Sequence, residues 1–267
     1  MQQDYLILVI NRVGGEKMRI VSVIPARYNS SRFPGKPLAD ICGKPMIWWV
    51  YHQVKKTSRI SDVIVATDDE RIAETCSQYN MNYVMTSSNH ETSTQRLFEV
   101  AQKVEADYYV CINGDEPLIE PTVIEAILPT EDELVHQDDY YVANLMTTMK
   151  NPVEVVDNTN IKVVVDKDNY ALYMSRNAIP YPRSSLNFEY KKHLGVLIYN
   201  LNALKFFSET PKNTLEKIED INELRFMENG IKLKMIEVNA NTLSVDTPKD
   251  LEKVVSMLKT QREHSHE

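Results

Sequence analysis

Arg19-Ile20-Val21-Ser22-Val23-Ile24-Pro25 is a β-branched run stopped by proline, and Ala26-Arg27-Tyr28-Asn29-Ser30-Ser31-Arg32-Phe33-Pro34-Gly35-Lys36-Pro37 follows it at once. A short apolar run bounded by turn residues reads as a buried strand feeding a loop. The strand signal recurs at Val63–Ala66, Tyr83–Met85 and Tyr108–Ile112. Between these runs lie helical patterns from Pro45 to Lys56, from Asp68-Asp69-Glu70 onward, and from Gln95 to Val104. The three acids suit a first helical turn, where the helix dipole favours negative charge. Strand alternating with helix predicts the α/β class, with a doubly wound, mostly parallel sheet.

Beyond Asp139 the rhythm changes to Tyr141–Met146, Ile161–Val165, Ala171–Met174 and Leu194–Tyr199, separated by Asn, Asp and Pro turns. This reads as a smaller β-rich lobe over 140–212, inserted in one continuous domain over 18–260. Residues 18–139 form the first half, and 213–260 close it with a helix over Leu215–Met227, a strand over Ile231–Val238 and a helix over Pro248–Lys259. Residues 1–17 are given no role, and the polar stretch 261–267 is expected to be a disordered tail.

The chain of 267 residues is 43% hydrophobic, enough for a substantial core, and carries a formal charge of -8. Such an acidic balance argues against nucleic acid or an anionic membrane as partner, so any small anion must be held by local basic groups. No apolar run approaches the roughly 20 residues a membrane span requires. Cys42, Cys76 and Cys111 are widely spaced and form no CxxC pair, which suggests neither a disulfide framework nor a zinc site. A cytoplasmic location is the expectation.

The loop after the first strand places Arg27, Arg32 and Lys36 among small and turn residues. Two guanidinium forks, one ammonium and exposed backbone N–H groups suit a triphosphate, although a merely solvated loop fits the composition too. The pattern is neither GxGxxG nor a Walker loop. Asn113-Gly114-Asp115-Glu116-Pro117 follows the fourth strand, where open α/β sheets place ligand-binding groups. An unpaired carboxylate there suits Mg2+, a hard ion that keeps several waters; the alternative is an acidic turn. Asp246, after Leu243-Ser244-Val245, is the natural second ligand, or else the cap of the helix that Thr247-Pro248 opens.

VIPARYNSSRFPGKPL over 23–38, continued by Gly43-Lys44-Pro45-Met46-Ile47, resembles the opening signature of the 3-deoxy-manno-octulosonate (Kdo) cytidylyltransferases, the CMP-Kdo synthetases. The similarity continues, in order, through Ala66-Thr67-Asp68, His90–Arg96, Asn113–Pro117, Ser175–Pro180, His193-Leu194-Gly195 and Val245–Pro248. The resemblance implies a Rossmann-like nucleotidyltransferase fold, CTP and an acidic sugar as partners, Mg2+ as cofactor and a homodimer. It also implies catalytic roles for Arg27, Lys36 and Asp115. Ala26, Arg27, Arg32, Lys36, Arg96 and Asp115 would bind the nucleotide, and Asp115 and Asp246 the metal. Arg176, His193, Asn222 and Glu223 would face the acceptor.

On the acceptor side the chain departs from the family pattern. Family members read HxSGT(E/D)R, QGDEP, HLGxYxY and LEQLR, where this chain has Ser93 and Gln95, Asn113, Leu197, and the pair Asn222-Glu223. An unmatched polar group in a buried pocket is expensive, so such changes retune acceptor choice, or else they are drift offset by water. Glu223 in place of Gln suits an acceptor bearing an extra donor or a positive charge. Rival readings are a nucleotidyltransferase for another acceptor, such as an amino-Kdo, another nonulosonic acid or a sugar phosphate, and a retired homologue that binds nucleotide without turning it over.

Overall fold

The computed structural model describes residues 18–29, 33–130, 139–184, 188–240 and 243–264, with 261–264 described by backbone alone. Arg32 and residues 1–17 therefore lie outside the described residues. The chain builds β1 (Ile20–Ala26), a 3-10 turn (Lys36–Leu38), the two-residue strands β2 (Asp40–Ile41) and β3 (Lys44–Pro45), α1 (Met46–Lys55), β4 (Asp62–Thr67), α2 (Glu70–Gln78), β5 (Tyr83–Met85), α3 (Ser93–Ala101) and β6 (Tyr108–Ile112). Then come α4 (Pro121–Glu125), β7 (Val142–Thr148), α5 (Pro152–Val156), β8 (Lys162–Val165), β9 (Ala171–Ser175), β10 (Lys191–Tyr199), α6 (Leu201–Glu209), α7 (Thr214–Glu219), α8 (Leu224–Glu228), β11 (Lys234–Glu237) and α9 (Pro248–His264).

The main sheet has the order β11-β7-β10-β6-β1-β4-β5, with β8 and β9 joined to it through β10. β1 lies between β4 and β6 and is parallel to both, as the alternation predicted. All five residues of β6 are buried, as are six of the seven in β1. Covered on both faces, these strands must be apolar throughout, which is why the sequence shows continuous runs here and no alternation. Each buried Val or Ile contributes on the order of 1.5–3 kcal/mol.

The β-rich stretch contributes β7 and β10 to the main sheet, and only the β8–β9 hairpin projects from it. β10 runs antiparallel to β6 and β7. The order reverses at β1, between β4 on one side and β6 on the other, so the carboxyl ends of β1 and β6 open on one crevice.

Three expectations are corrected. Residues 201–209 form a helix, α6, capped by Asn200 Oδ1 accepting from Ala203 N at 2.9 Å and burying Ala203, Leu204 and Phe207. The single helix expected over 215–227 is two, broken where Asp220 takes a left-handed conformation at φ 52. The closing helix continues to His264, four residues into the expected tail, whose end at 265–267 lies outside the described residues.

Candidate active site

β1 and β6 are neighbours in register, Val23 opposite Cys111, so the loops leaving them emerge side by side. Gly114 lets them close up: a Cβ there would sit 3.2 Å from the Pro25 carbonyl oxygen. The loop after β1 is folded by its own backbone, with Gly35 N donating to Tyr28 O at 2.8 Å and Gly35 in the left-handed region at φ 72. A side chain at Gly35 would be strained by that φ and would press on the Tyr28 ring. Arg71 covers Tyr28, its guanidinium carbon 3.2 Å from the ring centroid, and is itself held by Asp69.

This folding brings Lys36 onto the carboxylates. Its Nζ donates to Asp115 Oδ2 at 2.7 Å and lies 3.5 Å from Asp246 Oδ1. Asp246 arrives because Val245 N donates to Asp115 O at 2.9 Å, a backbone tie across 130 positions. The cap of α9 is made by the neighbour of Asp246: Thr247 Oγ1 and Asp250 exchange hydrogen bonds at the start of the helix. Asp115 stands in a turn, as the alternative reading had it, and from there it pairs with Lys36, 79 residues away.

Asp115 Oδ1 is buried with no hydrogen-bond partner, while Lys36 already occupies Oδ2. An orphaned carboxylate oxygen is costly unless something cationic meets it. Among the described residues no cluster of three or more metal-ligating side chains exists. Two carboxylates suit a divalent ion that takes its remaining oxygens from water and phosphate.

Glu116 sits directly behind. Burial, reinforced by the adjacent Asp115 charge, pushes its carboxyl up to about 7. Its Oε1 accepts from Gly195 N at 3.3 Å, and Asn113 N donates to Gly195 O at 3.0 Å. A Cβ on Gly195 would lie 2.3 Å from Asn113 Nδ2 and 2.8 Å from Glu116 Oε1, so only glycine lets β10 lie over this loop. Asn144 Nδ2 satisfies the carbonyls of Leu194 and Val196 at 2.8 and 2.9 Å where β10 loses register.

Arg27 donates to the His90 carbonyl, beside Arg96. Arg96 is fully buried, hydrogen-bonded to Thr86 Oγ1 and 3.3 Å from Asp68 Oδ2. Burial draws its pKa below the ordinary value, the Asp68 charge opposes this, and the Arg27 charge adds to it. Arg27 and Arg96 thus present paired positive charge in a place where neither neutralises the other.

On the far side a second polar group collects. Ser93 hydrogen-bonds the Cys111 thiol, Thr94 hydrogen-bonds the Tyr199 hydroxyl, and the Glu223 charge bears on both Cys111 and Tyr199. Burial, with a smaller effect from Glu216, pushes Glu223 up to about 7. Leu197, opposite Cys111 in register, belongs to the same buried layer.

His193 has a buried, unpartnered Nδ1, and burial together with the nearby Arg176 and Lys192 charges holds it down to about 4. Arg176 is partly committed elsewhere: Nε, Nη1 and Nη2 donate to the carbonyls of Glu219, Asn158 and Asp220 at 2.7, 3.2 and 3.0 Å. Two of its five N–H groups are left. Gln95 is explained locally, since its Oε1 accepts from Glu91 N and Thr92 N and completes a capping box with Thr92. An amide serves that box as well as an acid. Asp68, His90 and Glu99 carry part of this arrangement and were not singled out from the sequence; the spacing of His90 and Glu99, nine residues apart across a helix start, was the available signal.

Residues 21–236 match the profile of the cytidylyltransferase family. The 3-deoxy-manno-octulosonate cytidylyltransferase of Fusobacterium nucleatum is 42% identical over 91% of this chain and 98% of its own length. That of Escherichia coli is 40% identical over 90% and 96%. A relative from Arabidopsis thaliana, 40% identical, carries the same name with the word mitochondrial. Among solved structures, a CMP:2-keto-3-deoxy-manno-octonic acid synthetase complexed with CTP superposes with a TM-score of 0.85 at 41% identity, over 91% of this chain and 99% of the other. The inositol-1-phosphate CTP transferase of T. maritima shares the fold alone, at 14% identity and a TM-score of 0.61.

Proposed function

The chain belongs to the 3-deoxy-manno-octulosonate cytidylyltransferases, and on that footing we propose that it transfers CMP from CTP to Kdo or a close analogue at the Lys36–Asp115–Asp246 edge, with Mg2+ as its metal. The orphaned Oδ1 of Asp115 beside Asp246 is the observation that carries this reading. Asp115 and Asp246 would hold the ion, whose contribution is to neutralise triphosphate charge.

An acceptor hydroxyl attacks the α-phosphorus and gives up its proton to water, the bond from that phosphorus to the bridging oxygen breaks, and pyrophosphate leaves. No protein nucleophile is needed, so positioning and charge are the protein's part. Lys36, already aimed at the carboxylates, addresses the phosphates together with Arg27 and Arg32. Arg96 supplies a second buried positive charge, and Ala26 presents its backbone to the nucleotide. Arg176, with its two remaining N–H groups, and His193, neutral at physiological pH, face the acceptor from one side; Asn222 and Glu223 face it from the other. Glu223 lies in a layer of thiol and hydroxyl groups, a setting that favours an acceptor with a donor to offer. The homodimer face is assigned to the β8–β9 hairpin and the segments flanking it, where Leu172 on β9, Val153 and Val156 on α5, and Tyr181 after β9 are exposed. No helix among the described residues is long and apolar enough to cross a membrane, and three free thiols agree with a cytoplasmic location.

A magnesium titration tests the assignment. Asp246→Asn should raise the Mg2+ concentration for half-maximal turnover about tenfold, the loss expected for one carboxylate ligand among several oxygens. An unchanged titration would remove Asp246 from the metal.

A further inference from the structure

Glu99, on α3, ties down the segment that holds Arg27. Its Oε2 accepts from Ser87 N at 2.8 Å and meets His90 Nε2 at 2.6 Å, while Oε1 accepts from Lys103 Nζ at 2.7 Å. Burial opposes ionisation, but Lys103, Ser87 and His90 together hold the carboxyl down to about 2, so it is a carboxylate at neutral pH. A carboxylate only accepts, which fixes His90 Nε2 as the donor. The other end of the segment is pinned by Gln95 Oε1, which accepts from Glu91 N and Thr92 N at 2.9 and 3.3 Å. Between these anchors the His90 carbonyl receives the Arg27 guanidinium.

Arg27 needs such a holder. It stands beside the buried charge of Arg96, which repels it, and an unrestrained arginine side chain has much rotamer entropy to lose on binding phosphate. We propose that Glu99, through the His90 ring and carbonyl, is a positioning residue that sets Arg27 in place for the nucleotide phosphates. The inference rests on the reading of Arg27 as a phosphate ligand.

The test is a double-mutant cycle on the full chain, with KM measured separately for CTP and for Kdo. Glu99→Ala should raise the CTP KM about tenfold in the wild-type background and less than twofold in an Arg27→Ala background, with the Kdo KM changed less than twofold in both. His90→Ala, which removes the ring but leaves the backbone carbonyl, should act in the same direction and serves if Glu99→Ala fails to fold. Equal increments in the two backgrounds, or a rise in the Kdo KM instead, would overturn the positioning role while leaving Arg27 as a ligand. If Arg27→Ala itself leaves the CTP KM unchanged, both the reading of Arg27 and the role of Glu99 fall.

Discussion

Asp115→Asn is expected to lower turnover at saturating CTP and Kdo by about a thousandfold, with the fold intact. The substitution keeps the shape of the side chain and removes its charge. One unit charge facing another at ion-pair distance near a protein surface is worth about 4 kcal/mol, roughly a thousandfold in rate. Two cations depend on Asp115: the Lys36 ammonium at 2.7 Å and the divalent ion proposed for Oδ1. The carboxylate stands on the loop after β6 and not in the apolar layers, so the sheet survives its neutralisation. Circular dichroism should match the wild type while the pyrophosphate-release rate collapses. A variant that turns over at near wild-type rate would remove Asp115 from the chemistry.

Lys36→Ala should cost about a hundredfold in kcat/KM for CTP, the roughly 3 kcal/mol typical of one lost donor to developing oxyanion charge. Its position explains why the loss should fall on the nucleotide. The 3-10 turn at Lys36–Leu38 and the Gly35 bend aim the ammonium at two carboxylates, 2.7 Å from Asp115 Oδ2 and 3.5 Å from Asp246 Oδ1. Without it, Asp115 and Asp246 lose a shared counter-charge. KM for Kdo should change little. If the Kdo KM rises and that for CTP does not, the loop serves the acceptor.

What the sequence revealed and what it hid have separate physical causes. Strands buried on both faces must be continuously apolar, so β1, β4 and β6 were legible, and with them the crevice at their carboxyl ends. The loop of three cations was read as an anion site from its composition; in the structure its Lys36 lies against Asp115 and Asp246, and Arg32 is outside the described residues. Asp115 and Asp246 were candidates by position, but their meeting depends on the Val245-to-Asp115 backbone tie, which no local pattern records. The helix at 201–209 was hidden because its neighbouring strands dominate the pattern, although Asn200 offered a cap. The break at Asp220 needs a non-glycine residue in the left-handed region, which composition does not announce. Arg176 could be given no geometry from sequence, since its carbonyl partners come from three distant positions. Gln95 read as a departure from the family acid, yet its task is to complete a capping box. Glu99 was missed because its role is carried by two intermediaries, and its spacing from His90 was the trace it left.

The most direct test of CMP transfer is to incubate the protein with Mg2+, each nucleoside triphosphate in turn, and Kdo or its amino-bearing analogues, and to identify the products by mass. A CMP-sugar and pyrophosphate are expected in equal amounts from CTP, none after chelation of the metal, and little from the other triphosphates. Preferred transfer from another nucleotide, or CTP hydrolysis without a nucleotide-sugar, would contradict CMP transfer.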